Sequence, residues 1–465
     1  MKRGMSRWLT TAVALAVIAA LLAACGPQAT PAPAPTAPPA APTKAEEKPT
    51  APAPAQVTEL TWIVWSYGVE TIQDNIKKFE ARNPDVKVTL QDFSWLDYHD
   101  IVVSRFVANT PTDLLYGSDH WLQEWADAGW LEPLDTHFPQ VSDYVKEMAP
   151  YAVQGMTYNG HIYGLPYYAD TIIFVYNEEH LQKAGFDKPP ATWEELTEQA
   201  KVIKEKGICE YPLILAFSQK EGASIEAFIG MVYSRADGPG AMFDENNNPT
   251  FNKEGGPAHQ TVEWLANALQ KDKILDPASL QTAEIDQVKS MQAGAHTYTL
   301  FPSYNLAELN KPASSDYAGK FKMALMPGKS HATNGYVRFY AMSSQVPKRG
   351  QAALDAAWKF LEYFGGKTDG EYKVVKRWAV ENGLGFAQMP LFGDPDVQKA
   401  FNAWGDVNLL QEQAKLARSK EGLTPFFGSW DVFARAELHK AYLGQISAME
   451  ALNNMAAKWN ELKGQ

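Results

Sequence analysis

The 465-residue sequence is poor in cysteine, in metal-binding patterns and in basic charge, and each shortage removes a class of function. Cys25 and Cys209 are the only cysteines, too few for a disulfide framework. The nine histidines are scattered, with no HExxH or other tight pair, which argues against a built-in zinc site. No GxSxG nucleophile elbow appears. Acidic residues outnumber basic ones, 54 to 42, for a formal net charge of −12; such a surface disfavours nucleic acid and direct adhesion to anionic lipid. Beyond residue 24, no apolar run approaches the ~18 residues of a membrane span.

Two segments begin like functional motifs and then depart from them. Gly365-Gly366-Lys367-Thr368 resembles the end of a phosphate loop, but it lacks the leading glycine and follows a helix C-terminus, where the dipole repels phosphate. Asp244-x-Asn246-x-Asn248 starts like a calcium loop, yet Pro249 takes the place of the turn glycine and Gly255 that of the closing glutamate. A solvent-exposed hairpin turn is expected there. Neither a cofactor nor a resident metal is expected.

The N-terminus carries the first positive signal. Lys2, Arg3 and Arg7 precede an apolar stretch, Leu9 to Ala23, of secretory rather than membrane-spanning length. It ends in Leu22-Ala23-Ala24-Cys25, which resembles the lipobox of bacterial lipoproteins. That resemblance implies a signal peptide over 1–24 and a lipidated Cys25, a membrane anchor without a spanning helix. Loss of the three cations, with no acid in that segment, leaves a formal charge of −15 on the mature chain. Residues 25–56 are dominated by Pro, Ala and Thr and lack the apolar side chains that offset chain ordering, so a disordered, semi-stiff tether is expected. Cys209, beside Ile208 and Tyr211, reads as a buried structural thiol.

From Val57 onward roughly 400 residues remain, more than one ordinary core holds, which suggests two lobes. Leu60–Trp65 reads as a buried strand; Ile72, Ile76 and Phe79 share one helical face up to Asn83-Pro84; and Val86–Leu90 alternates as a second strand. This βαβ order predicts a largely parallel sheet. Thr112–Tyr116 reads as a third strand. Thr192-Trp193-Glu194-Glu195 and Ser447-x-x-Glu450 are capping boxes that open helices, and Gln351–Phe364 is amphipathic up to Gly365-Gly366.

Aromatic residues are abundant at 12% and gather beside turns. Trp65 and Tyr67 lie at the end of the first strand, and Asp119-His120-Trp121 follow the third. Tyr167, Tyr168 and Asp170 follow Gly-Leu-Pro. Tyr298, Phe301 and Tyr304 share one segment, and Tyr336, Arg338 and Tyr340 alternate along another. In a doubly wound sheet the strand carboxyl ends face the ligand cleft. Flat rings there stack on the C–H faces of a sugar, while Asp, Asn or Arg bind its hydroxyls.

Leu60-Thr61-Trp62 with Trp65, then Phe79-Glu80-Ala81-Arg82-Asn83-Pro84-Asp85-Val86-Lys87-Val88, resembles the opening of family 1 extracellular solute-binding proteins, the relatives of maltose-binding protein. Thr112–Leu115, Trp130–Asp135, Gly160–Pro166 with Val175-Tyr176-Asn177, and Thr192–Leu196 continue the resemblance in order. It implies an α/β, two-lobed periplasmic-binding-protein-like fold, each lobe a mainly parallel sheet flanked by helices, joined by a three-crossing hinge near Asp170–Phe174, Phe321–Met326 and Ser343–Pro347. Lobe I would comprise 57–169 plus 321–344, and lobe II 170–320 plus 345–465. The cleft residues it implies are Trp65, Ser66, Asp119, His120, Tyr168, Asp170, Tyr304, Trp430, Phe386, Tyr336 and Arg338; Tyr67 and Tyr298 join them from the aromatic pattern. The implied role is that of a monomeric, lipid-anchored binder on the outer face of the cell membrane. It would hand a carbohydrate to the permeases of an ABC importer. Two other readings stay open: a binder of a non-sugar solute such as glycerol phosphate or polyamine, and a secreted glycan-acting enzyme with paired carboxylates.

Overall fold

The apolar run around Leu60 forms strand β1 (Thr58–Trp65), whose last four residues are all buried, as a central strand covered on both faces requires. The following helix, Val69–Arg82, buries Ile72, Ile76 and Phe79 and ends at Asn83. The chain then returns as β2 (Val86–Phe93), parallel to β1. The computed structural model describes residues 57–220 and 223–464; the segments 1–24 and 25–56, with Cys25, lie outside them.

The remaining strands are β3 (Leu114–Ser118), β4 (Thr157–Tyr158), β5 (His161–Ile162), β6 (Gly164–Asn177), β7 (Leu213–Ile214), β8 (Tyr298–Pro302), β9 (Phe321–Ala324), β10 (Thr333–Met342) and β11 (Ala417–Arg418). The main sheet runs β2-β1-β3-β10-β6-β8-β7, with β9 also on β6 and β11 on β10. The long strand β6 joins two halves. Its first part pairs with β10, from Gly164↔Ala341 to Thr171↔Gly335; its second pairs with β8, from Ile172↔Pro302 to Tyr176↔Tyr298, and with β9. Past that change of partner, Ile172 and Phe174 enter one core with Trp193 and Phe228. Ile173 and Val175 enter the other, with Phe301 and Phe321, as the two-residue period of a strand dictates.

Parallel pairing is confined to β2-β1-β3, β7-β8 and β10-β11, whereas β10 runs antiparallel to β3 and β6, and β6 antiparallel to β8 and β9. Each half is nonetheless mainly parallel in strand direction, with one reversed strand: β10 against β2, β1, β3 and β6 in the first, and β6 against β7, β8 and β9 in the second. The reason is directional: β1 and β3 end at the join between the halves, while β10 starts there and runs back.

The expected lobe boundaries shift. β9 pairs with the second part of β6, so 321–324 belongs to the second half. Ser343–Gln345 makes no crossing: the Ser344 N–H donates to Trp130 O, and the Ser343 and Gln345 side chains donate to Thr112 O and Thr110 O. Helix Gln351–Gly365 then packs on the first half, with Phe360 and Phe364 at 4.8 and 4.9 Å from Trp62 and Trp358 stacked on Phe138 at 4.3 Å. The amphipathic pattern shows that this helix buries a face but not which sheet receives it. The chain reaches the second half again with helix Val407–Leu416, whose Gln413 accepts the Met326 N–H at 2.9 Å. Helices Phe427–Tyr442 and Ala448–Lys463 complete that half's core.

Local signals are realised as chemistry. Thr192 Oγ1 accepts the Glu195 N–H at 3.1 Å, and the Glu195 carboxylate accepts from Ala191 N–H at 2.7 Å. Asp244 accepts the N–H groups of Asn246 and Asn248 at 2.9 and 2.8 Å, closing a turn bridged by Phe243 and Pro249. Cys209 is buried against His180 and Thr297.

Candidate functional site

Where β6 changes partners, the ends of strands from both halves converge on a cavity of about 410 Å³, within the usual range for small-ligand sites. Trp65, Ser66 and Tyr67 reach it from the end of β1, His120 from just beyond β3, and Tyr167 and Tyr168 from β6. Tyr336 and Arg338 come from β10, two residues apart and hence on one face. The second half supplies Glu226, Glu284, Ile285, Pro302 and Tyr304. Trp95, first residue of helix Trp95–Val107, closes one wall edge-on to Trp65 at 5.1 Å. Tyr168 meets Tyr304 and Tyr336 edge-on at 6.5 and 6.2 Å. Tyr304 Oη donates to Glu284 at 2.6 Å, and Asn305 Nδ2 donates to the same oxygen at 3.0 Å.

Charged side chains form the floor. Arg338 Nη1 donates to Asp119 Oδ1 at 2.6 Å, and Lys420 Nζ lies 2.7 Å from Asp119 Oδ2 and 2.9 Å from Glu226 Oε1. His120 Nε2 is 2.8 Å from the same Glu226 oxygen. Burial pushes the Asp119 carboxyl up, but the Lys420 and Arg338 cations outweigh it and hold it below the ordinary carboxylate range. Burial, then Lys420, keeps the His120 imidazole well below its usual value; it is neutral, and its Nε2–H donates to Glu226. Two carboxylates thus balance two cations. Asp119, His120 and Glu226 bring metal-type donors within 4.8 Å of one another, but Lys420 and Arg338 already engage both carboxylates, so the donor set does not suit an added ion. Arg338 Nε, by contrast, is buried without a hydrogen-bond partner.

Of the residues expected from sequence, Trp65, Ser66, Tyr67, His120, Tyr168, Tyr304, Tyr336 and Arg338 line this cavity. Asp119 lies beneath it, fully buried in the charge network. Asp170 borders a separate space of about 20 Å³ together with Phe386, room for about one water. Burial raises the Asp170 carboxyl to about 7. Phe386 packs on Phe392 and Phe401. Tyr298 stacks on Phe174 inside the second core, its hydroxyl donating to Gln199. Trp430 is buried between helices, its Nε1–H donating to Met455 O at 2.9 Å. These last three are core residues, drawn inward by their large apolar rings, with the polar tips of Tyr298 and Trp430 satisfied. The sequence reading missed Trp95, Glu226, Glu284, Ile285 and Lys420. Glu226 carried a signal, as the one acid in the apolar helix Ala223–Arg235; Lys420 carried none.

Residues 65–371 match the profile of the bacterial extracellular solute-binding proteins. The chain belongs to that family. Among curated relatives of this solute-binding protein, a maltotriose-binding protein of Pyrococcus abyssi is 22% identical over 71% of the chain and 66% of its own length, just under two thirds. A mannitol-binding protein of Pseudomonas aeruginosa is 28% identical over 42% of the chain and 44% of its own length. Among solved structures, maltose-bound T. maritima MalE3 superposes with a TM-score of 0.74 at 20% identity, covering 87% of the chain and all of that structure. The fold is thus the two-lobed α/β architecture of periplasmic binding proteins, with the cavity between the lobes. Among the described residues no helix is long and apolar enough to cross a membrane.

Proposed function

We propose that this solute-binding protein takes a neutral carbohydrate or polyol in the cavity between its lobes and delivers it to the permeases of an ABC importer. One observation carries the reading: aromatic walls stand over a floor whose charges neutralise one another. Trp65, Trp95, Tyr168, Tyr304 and Tyr336 offer ring faces and edges to the C–H surface of a sugar. Arg338 Nε–H and the tyrosine hydroxyls serve its hydroxyl groups. An anion such as glycerol phosphate would need an unbalanced cation, and a polyamine unbalanced carboxylates. The floor offers neither, because Arg338 and Lys420 are paired with Asp119 and Glu226. The wall adds a single carboxylate, Glu284, engaged by Tyr304 and Asn305, where a polyamine needs several. Relatives named for maltotriose and mannitol support the same ligand class.

In this reading the protein binds without turnover, as a monomer, and ligand contacts that span both lobes add to the stability of the closed form. The N-terminal pattern supports export and anchoring through Cys25 on the outer face of the membrane. A calorimetric and thermal-shift screen of maltose, maltotriose, D-mannitol, spermidine and glycerol 3-phosphate tests the proposal. Stoichiometric binding and raised Tm with the neutral ligands are expected. Binding of spermidine or glycerol 3-phosphate alone would overturn the neutral-ligand reading, and turnover of a bound sugar would overturn the receptor reading.

A further inference from the structure

The charge network under the cavity is assembled from both lobes. Asp119 and His120 follow β3, the Asp119 N–H donates to Val337 O at 3.2 Å, and Arg338 sits on β10 opposite Ser118; all three belong to the first lobe. Glu226 belongs to helix Ala223–Arg235, whose Ile225, Phe228 and Ile229 lie in the second-lobe core. Lys420 follows β11 and is fixed to that same lobe on either side. Tyr233 Oη donates to Ser419 O at 3.0 Å, and Glu421 accepts the N–H groups of Gly240 and Met242, each at 2.7 Å. Every link between the pairs therefore crosses the join: Lys420 to Asp119 at 2.7 Å, His120 to Glu226 at 2.8 Å, and Arg338 to Glu226 at 3.6 Å. Lys420 and Asp119 have no exposed side-chain surface, and Glu226 and Arg338 keep 3% and 5%.

We propose that Lys420 and Glu226 are positioning residues: a buried ion bridge that holds the lobes together and sets Arg338 and His120 on the cavity wall before any ligand arrives. Removing one partner of such a bridge leaves its counter-charge buried and unpaired, a state relieved by admitting water, which here means parting the lobes. The second lobe then no longer backs the Arg338 guanidinium and the His120 ring. Lys420 is not part of the cavity lining, so in Lys420→Met binding weakens without loss of any residue that lines the cavity, whereas Glu226 itself borders it.

The proposal deepens the reading of the cavity as a ligand site, and its primary test uses no ligand. Small-angle scattering of the ligand-free full chain should give a larger radius of gyration for Lys420→Met and Glu226→Gln than for the parent, and no change for Lys420→Arg. Cooperative melting checks that each variant is folded. Glu226→Gln is nearly isosteric and keeps the test open should Lys420→Met fail to fold. If the bridge-less form is closed only one time in ten, affinity for maltose or D-mannitol falls about tenfold, because apparent affinity scales with the competent fraction; Lys420→Arg restores it. Folded Met and Gln variants with unchanged scattering would overturn the bridge, whatever the sugars do. Failure of every sugar to bind the parent, with scattering shifted as expected, would count against the ligand assignment alone.

Discussion

Asp170, on the strand shared by both lobes, accepts the backbone N–H of Tyr304 at 3.4 Å, and Tyr304 in turn presents its ring to the ligand cavity. The same carboxylate accepts the Thr171 N–H at 2.7 Å. One buried acid thus ties the point where β6 changes partners to a residue of the cavity wall in the second lobe.

That tie has a pH signature. Burial raises the Asp170 carboxyl to about 7 in the folded protein, against about 3.9 in an unfolded chain. Between those values the folded state holds the extra proton, so stability falls as pH rises through this window and the loss is complete above it. Asp170→Asn should flatten this slope. At pH 8 it should be more stable than the parent by about 2 kcal/mol, once the weakened bond to Tyr304 is set against the ~1.4 kcal/mol that accompanies each tenfold change in proton affinity. Denaturant unfolding at pH 5 and pH 8 measures it. Asp431, raised by burial to about 6, contributes a residual slope of the same sign that the variant retains. Burial lowers the imidazoles of His120, His180, His296 and His439, which gives parent and variant alike an opposite slope below about pH 6.5. The difference between the two proteins therefore carries the test. An advantage of Asp170→Asn that does not grow from pH 5 to pH 8 would contradict the account.

Trp95 separates binding from folding. It lines the cavity, yet 41% of it remains exposed, so Trp95→Ala should leave the melting temperature nearly unchanged. Affinity for a sugar or polyol ligand should fall about tenfold, equivalent to ~1.4 kcal/mol of lost stacking. Titration calorimetry beside a thermal melt tells the two apart; a large drop in Tm with intact affinity would place Trp95 in the framework instead.

Tyr98 is the opposite case. Its buried hydroxyl lies 3.1 Å from Ile63 O and 3.0 Å from Tyr116 O, and accepts the Tyr116 N–H at 3.0 Å. It therefore pins β1 and β3, the strands that deliver Trp65 and His120. Tyr98→Phe leaves those backbone groups unpaired and should cost about 1–3 kcal/mol. Urea denaturation should show a lower midpoint with an unchanged m-value.

What could be read in the chain follows from how far each signal reaches. β1, helix Val69–Arg82 and β2 were legible because Leu60–Trp65, Ile72, Ile76 and Phe79 encode their burial within a few residues. Tyr336 and Arg338 were legible as neighbours because a strand repeats every two residues. Lys420 was not, because the acids that hold it lie some two and three hundred residues upstream, at Glu226 and Asp119, and nothing in Ser419-Lys420-Glu421 announces burial. Trp430 and Trp95 show the same limit in opposite directions. Both are tryptophans near helix starts, yet one is enclosed by Met455 and Trp459 of a later helix and the other is left at the mouth of the cavity.

The fourteen residues of β6 run unbroken from one lobe to the other. Like the spine of a book, such a strand lets its two covers turn but not slide. A swing that parts the lobes has to be taken up as bend and twist around Thr171 and Ile172, while the rungs on either side, Gly164 to Ala341 and Tyr176 to Tyr298, keep their register throughout.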